Sequence, residues 1–557
     1  MIGTLDSKIK TIGGNHMTEP KYMGKIVQSE SSPLEMSSKK RRLKAIVREE
    51  VREQAREGSY YVIESENGSV RLLALCIKIE SFSKNENISF KNFDEFVTHA
   101  ELEVIGKLSD SGIVENDNGN YHDYGLRKAY PDEIRKWLKL PAGGLYCGDL
   151  LIDKEVSEMK FCLPTELLYY SLFVCGSKGS GKTTCLRTLL PRTINPDEPH
   201  EKAPSIVILD VEGEFADRGS QGLFESGGWE VDLKTISADA SAATATLSLS
   251  LIHYEHFAHF VGNLPMNSLI HLEQIYKEIY TENHAKGLSP KAPEILKAIQ
   301  EKAWRRPHLH ESQRNAINRV TMSGLFSMFD QENLPALLPI SMVVPGKVTI
   351  IDVSSMTDDQ QRVVALYLLS IFSSYKTPDK DSTGLLLVLD EAQKLFPHKG
   401  DLKREYSQRL AGFVGSIVRR GRRRRYGIIL STQHPVDVAR DVVELCDTKI
   451  VFRMSGPLQW LKDTLRDAES ARYAISLNVG EAFVVSNGLC MPTPAQIKIP
   501  APAYEPKRIA VPAIVKPVPA TVKQQIPQKV EPIRRGLDAL FDNCIQTECL
   551  TAISRRL

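Results

Sequence analysis

The segment Gly176-Ser177-Lys178-Gly179-Ser180-Gly181-Lys182-Thr183 has the spacing G-x-x-x-x-G-K-[ST]. Glycines at these positions let backbone N–H groups wrap around phosphate oxygens with no Cβ in the way. A helix starting where the loop ends adds unpaired N–H groups and the positive end of its dipole. Lys182 then supplies a point charge to the β- and γ-phosphates, and Thr183 an oxygen to Mg²⁺. The apolar run Ser171–Cys175 before the loop and the helical stretch Thr184–Leu190 after it give the strand–loop–helix context this chemistry requires. ATP and Mg²⁺ are the expected cofactors, with the nucleotide on residues 176 to 183 and on Thr184.

A P-loop ATPase also needs an acid at the end of a neighbouring strand. Three apolar runs end in Asp, at Asp210, Asp352 and Asp390, and only Asp390 is followed by a second carboxylate, Glu391. Asp390 is expected in the Mg²⁺ shell and Glu391 as the base that polarises the attacking water. Adjacent carboxylates at a strand end repel each other unless a cation or phosphate chemistry offsets it. Asp210, in Asp210-Val-Glu-Gly213-Glu214-Phe, reads either as a second polar edge of the nucleotide site or as a strand-to-helix turn; Asp352 reads as a turn cap. The run from Gly427 ends in Ser431-Thr432-Gln433. Parallel strands bring their C-terminal ends to one edge, so Gln433 is expected beside Asp390 and the γ-phosphate, orienting water. His434, followed by Pro435, reads as structural.

The densest positive charge is Arg419-Arg420-Gly421-Arg422-Arg423-Arg424-Arg425. From Lys394 to Tyr426 there are eleven Lys/Arg against two acids, Asp401 and Glu405. Charges at that density repel unless anions meet them. The γ-phosphate of a neighbouring subunit and a nucleic-acid backbone both suit; a solvated basic face is the plain alternative. Just ahead of the Gln433 strand, the cluster is expected near the active edge of the sheet or at a subunit boundary.

The elements that must position these groups are legible around them. The 557 residues predict two to four domains, and 25% charged against 42% hydrophobic residues is a globular balance. A net charge of +2 neither demands nor excludes nucleic acid. The longest apolar stretch, Leu167–Gly176, is far short of the ~20 residues of a membrane span. With no signal-peptide pattern and nine cysteines lacking a C-x-x-C pair, the reading is a cytoplasmic protein with reduced thiols and no membrane.

Residues 1–20 are polar and predicted disordered, with Met17 an alternative start to Met1. Residues 21–140 read as short strands: Tyr60–Ser65, a turn at Asn67-Gly68, then Val70–Ile79 make a hairpin, and the spacing suggests a small barrel or sandwich. The run Lys39–Arg42 reads as a phosphate contact or a solvated loop. Over 141–498, apolar runs at 171–175, 205–210, 348–352, 385–390, 428–432, 449–452 and 482–485 alternate with helices, as in a buried parallel sheet. Residues from about 240 to 335 read as a helical insertion, with His253–Leu264 and Leu269–Glu282 rich in aromatic, Leu and Ile positions. The last segment, 499–557, holds eight prolines between Pro500 and Pro532, an extended strap, and then a helical pattern over Gly536–Leu557. That helix either docks on a neighbouring subunit or is a plain terminal helix.

Taken in order, the P-loop, the Asp210-x-x-Gly-Glu214 turn, Asp390-Glu391-Ala-Gln, Arg-Arg-Gly-Arg-Arg and Ser-Thr-Gln433-His-Pro resemble the HerA family, a branch of the hexameric DNA-pumping ATPases that includes FtsK. The resemblance covers about residues 22–500. It implies an α/β, RecA-like P-loop ATPase core with a helical insertion, preceded by a small N-terminal β-barrel. It places Lys182 and Thr183 at the Walker A positions, Asp390 and Glu391 at Walker B, and Gln433 at the polar end of the sensor strand. The family's Arg-x-Gly-Arg-Lys pattern falls on Arg419 to Arg423, making Arg422 the trans-acting finger. Here Arg423 replaces the Lys and two more arginines follow, so the finger is one of 419–425. His434 stands where many relatives carry Arg. Lys182 and Asp390 are 208 positions apart (390 − 182), and no LSGGQ-type signature lies between them, which weighs against a transporter subunit.

The implied activity is an ATP-dependent DNA translocase or helicase. The resemblance also implies a homo-hexamer acting on double-stranded DNA, in end processing or repair with a NurA-like partner nuclease. The alternatives are an ATP-binding ring that organises an effector without processive translocation, and a motor that moves protein.

Overall fold

The computed structural model describes residues 22–502 except 28–34, 37–40, 84–95, 110–111, 115–120, 138–139, 142, 153–154, 195–202, 262–263, 380–381, 398–403, 467, 490 and 492. The predicted disordered start, Lys39 and Lys40 of the basic run, nearly all of the proline-rich strap and the terminal helix lie outside the described residues.

The first sheet runs from Gly24 to Lys128 and is antiparallel throughout. Its hairpin pairs Tyr60–Glu64 with Arg71–Ser83 across the Asn67-Gly68 turn. Arg41–Val47 pairs both with Gly24–Val27 and with Phe96–Ser109, and this closes six strands into a barrel. Closure leaves the ring without an edge and turns alternate residues such as Leu43, Ala45, Leu72, Ala74 and Leu102 into a core. On the other face, Tyr60, Val62 and Leu73 join a second core that includes Leu145, Phe161 and Leu172 of the next sheet.

That second sheet has 11 strands between Leu145 and Lys498. Its centre is parallel, in the order Thr448–Phe452, Leu172–Cys175, Tyr426–Thr432, Leu385–Leu389, Ser205–Asp210, Lys347–Asp352 and Glu230–Thr235. Leu172–Cys175, Ser205–Asp210, Leu385–Leu389 and Tyr426–Thr432 are buried along their whole length, which is why they read as unbroken apolar runs. The expected all-parallel pattern needs one correction. Glu481–Ser486 runs antiparallel to Thr448–Phe452, and Ala495–Lys498, Leu145–Ile152 and Glu155–Leu163 extend that side antiparallel.

The helical segment lies between Glu230–Thr235 and Lys347–Asp352 in the chain. It comprises Tyr254–Phe257, Met266–Ala285, Ala292–Arg305 and Glu311–Thr321. Phe257 stacks on Tyr276 with ring centroids 3.9 Å apart, and the Tyr276 hydroxyl donates to the carbonyls of Leu249 and Ile252. Among the described residues, no helix is long and apolar enough to cross a membrane.

Candidate nucleotide site

The P-loop joins Leu172–Cys175 to the helix Lys182–Leu189. Gly181 caps that helix at φ 116°, a backbone that L residues rarely adopt. At Gly176 an added Cβ would stand 2.5 Å from Phe452 Cβ, so any side chain there would push the loop off its strand. The loop is tied down from outside: Ser177 N–H donates to the Arg453 carbonyl at 2.9 Å, and Gly480 N–H to the Ser180 carbonyl at 2.9 Å. Lys178 is exposed at the tip and Thr184 half-buried on the first helical turn.

Lys182 Nζ donates to the Gly176 carbonyl at 2.8 Å and to the Ser177 carbonyl at 3.4 Å. Burial pushes this ammonium down from its ordinary range, opposed by the charges of Glu391, Asp390 and Glu214. Ser180 Oγ is buried inside the loop with no hydrogen-bond partner. A buried hydroxyl left alone is costly. A loop with an open cradle, an orphan hydroxyl and a lysine resting on its own carbonyls fits a phosphate group.

Asp390 follows Leu385–Leu389 and is buried. Burial, then the charge of Glu391 beside it, push its carboxyl up to about 7, with the Ser431 hydroxyl working the other way. A carboxylate so placed is stabilised by a cation. Glu391 sits at φ 49°, ψ 49°, the left-handed region, which costs a non-glycine residue about 1–2 kcal/mol. Gln433 Nε2 donates to Glu391 Oε1 at 2.5 Å, and Gln393 Nε2 donates to Glu391 Oε2. Thr432, the residue before Gln433, pairs with Cys175, the residue before Gly176. Lys182, Thr183, Asp390, Glu391 and Gln433 therefore gather at one edge of the sheet.

Two acids divide the readings left open for the Asp210 turn. Asp210 Oδ1 accepts Glu214 N–H at 2.9 Å, and Oδ2 accepts Phe215 and Ala216 N–H, each at 2.8 Å. It builds the turn. Glu214 is the residue that reaches the loop: its Oε2 accepts the Thr183 hydroxyl. Sequence reasoning quoted Glu214 within a motif without giving it a place in the site. Asp352 caps a turn through Ser354 N–H and Oγ.

The arginine cluster does not lie at the active edge of its own sheet. Arg419 to Arg424 end the helix Arg404–Arg424, which feeds the start of Tyr426–Thr432. The P-loop lies at the far end of that strand, roughly 20 Å away at ~3.3 Å per residue. Within one chain the arginines are at the opposite edge from the active one. Arg422 stacks over the Tyr170 ring at 4.7 Å and Arg425 over the Tyr169 ring at 5.5 Å. Arg419, Arg420, Arg422 and Arg423 are exposed.

This fold and loop define a P-loop ATPase. Residues 145–372 match the family described as "Helicase HerA, central domain". A DNA double-strand break repair helicase HerA of Sulfolobus acidocaldarius is 24% identical over 364 residues, 62% of this chain and 68% of that one. A protein of the same name from Sulfurisphaera tokodaii is 29% identical over 163 residues, 27% of this chain and 32% of its own. Among solved structures, VirB4 of Thermoanaerobacter pseudethanolicus has a TM-score of 0.48 at 15% identity, covering 65% of this chain and 97% of its own. The conjugative coupling protein TrwBdeltaN70 has a TM-score of 0.47 at 13%, covering 70% and 95%. Over residues 145–372 the chain is similar to the HerA central domain, and the HerA relatives match it at 24 and 29% identity.

Proposed function

We propose that this chain is an ATP-dependent DNA translocase of HerA type. The convergence of Lys182, Thr183, Asp390, Glu391 and Gln433 on one sheet edge carries the reading. The loop of residues 176–183 and Thr184 binds the phosphates of ATP. Thr183 and Asp390 would hold Mg²⁺, which supplies neutralisation of phosphate charge when bound. Lys182 leaves its loop carbonyls for phosphate oxygens, and Glu391 accepts the proton of the attacking water. Gln433 reports the state of that carboxylate to the strand it terminates.

The arginine edge favours a ring. Arg422 lies too far from its own P-loop to act there, so a role at the γ-phosphate belongs to the next subunit of a homo-hexamer. The printed name of the relatives, DNA double-strand break repair helicase HerA, supports double-stranded DNA as the partner and a role in repair; end processing with a NurA-like nuclease rests on the family resemblance alone. Phosphate release measured with and without duplex DNA, over a range of salt, tests this. Stimulation that falls steeply as salt rises is expected for a backbone-binding motor. Hydrolysis indifferent to duplex would leave an ATPase that does not work on DNA.

A further inference from the structure

Glu391 is held by more than Gln433. Gln393 sits two residues further on, and its Nε2 donates to Glu391 Oε2 while its Oε1 accepts the Thr432 hydroxyl at 2.5 Å. The Thr432 hydroxyl oxygen in turn accepts His434 N–H at 3.1 Å. Each oxygen of the carboxylate thus faces an amide, and both amides lead to the tip of one strand, Tyr426–Thr432. Water that gives its proton to Glu391 needs one of those oxygens within hydrogen-bond reach.

Hydrogen bonds brace the backbone here. The left-handed Glu391 is braced by Lys394 N–H on its carbonyl at 2.8 Å. Buried Arg362 donates to the Lys394 and Leu395 carbonyls at 3.0 and 3.2 Å, closing the end of the short helix Ala392–Leu395. Thr432 is also joined to the phosphate loop: its carbonyl accepts Gly176 N–H at 3.3 Å, and the Gly176 carbonyl is the one that Lys182 Nζ occupies. A continuous line of contacts runs Lys182, Gly176, Thr432, Gln393, Glu391.

We propose that Gln393 is a positioning residue that latches the Glu391 carboxylate to Thr432, and that the base meets water only when this link opens. The latch rests on the function proposed above. Phosphate drawing Lys182 away from Gly176 alters the far end of the line, and Gln393 passes that change to the base. Basal turnover without DNA is thereby held down.

The test is steady-state phosphate release, with and without duplex DNA, by the full chain, two single variants, their double variant and Glu391→Gln. Gln393→Ala and Thr432→Val each remove one end of the link. Each should raise DNA-free kcat about fivefold, the worth of one neutral hydrogen bond, with KM for ATP unchanged. Because both open the same link, the double variant should be no faster than either single one. A merely structural Gln393 would lower kcat and leave the ratio of DNA-stimulated to basal rate where it was; that result, or additive effects in the double variant, overturns the proposal. Should Gln393→Ala fail to fold, Thr432→Val alone decides by the same criterion. If the wild type hydrolyses ATP and Glu391→Gln does not, while both latch variants stay at or below wild type, only the latch falls. If the wild type hydrolyses nothing, the latch and the proposed function fall together.

Discussion

The hydroxyl of Thr183 donates to Glu214 Oε2, across 31 positions of sequence, between the turns that follow Leu172–Cys175 and Ser205–Asp210. The proton of Thr183 is thereby committed to Glu214, which suits the proposed role of the Thr183 oxygen on Mg²⁺. Glu214→Ala should raise the Mg²⁺ concentration for half-maximal ATPase about tenfold, the scale of a hydrogen bond to a charged group. Glu214→Gln keeps an acceptor and should stay near wild type. A magnesium titration of both variants checks this, and an unchanged alanine variant would remove Glu214 from the site.

The parts of this site that were legible in the sequence share a cause. Leu385–Asp390 and Ser205–Asp210 stand out because strands buried on both faces admit only apolar residues until the chain reaches the polar edge. The P-loop is legible because its glycines have one steric use. The edge strand Glu230–Thr235 was not, since half-exposed Glu230-Val-Asp-Leu-Lys-Thr carries no apolar run. Nor were the contacts of Glu214 and Gln393, because each depends on which strand lies beside which. The order that puts Leu172–Cys175 between Thr448–Phe452 and Tyr426–Thr432 is a tertiary fact. The arginines lie at the opposite edge because they precede the start of Tyr426–Thr432, whereas Gln433 follows its end.

Glu391→Gln keeps the shape of the site and removes the carboxylate that the proposed mechanism uses as proton acceptor. ATP binding, followed with a fluorescent nucleotide, should stay within about twofold, and turnover should drop by at least about 100-fold, the lower bound for a general base. Ordinary hydrolysis by this variant would reassign the base.

Arg422 is exposed, rests on Tyr170 and lies at the far edge from its own P-loop. If it serves a neighbour, Arg422→Ala and Lys182→Ala proteins, each inactive alone, should recover activity when mixed, because an intact P-loop on one subunit then meets an intact arginine on the next. A mixture as inactive as either variant alone would mean no action in trans. Arg419→Ala and Arg423→Ala, mixed in the same way, identify which exposed arginine does the work.

The helical segment carries a pH dependence. Burial pushes His256 down to about 4 and His259 down to about 3. His253 and Arg420 add to the first shift, His256 and Arg409 to the second. Both rings pack on Phe413 of the arginine helix, at 4.9 and 4.4 Å. Their folded values lie below the unfolded value near 6.5, so the unfolded chain binds more protons as pH falls. Stability is full above pH 6.5 and is lost as pH drops toward 4, at up to about 1.4 kcal/mol per pH unit for each ring. Denaturant midpoints at pH 7.5 and 5 should show this, and His259→Phe should shrink the difference. An unchanged pH slope in that variant would contradict the assignment.

The most direct measurement is phosphate release from ATP by wild type and by Lys182→Ala, each shown to be folded by its thermal transition. Wild type should hydrolyse ATP in the presence of Mg²⁺, and Lys182→Ala should not. Equal release by the two proteins would contradict the claim that the 176–183 loop and the Asp390–Glu391 pair form one catalytic edge.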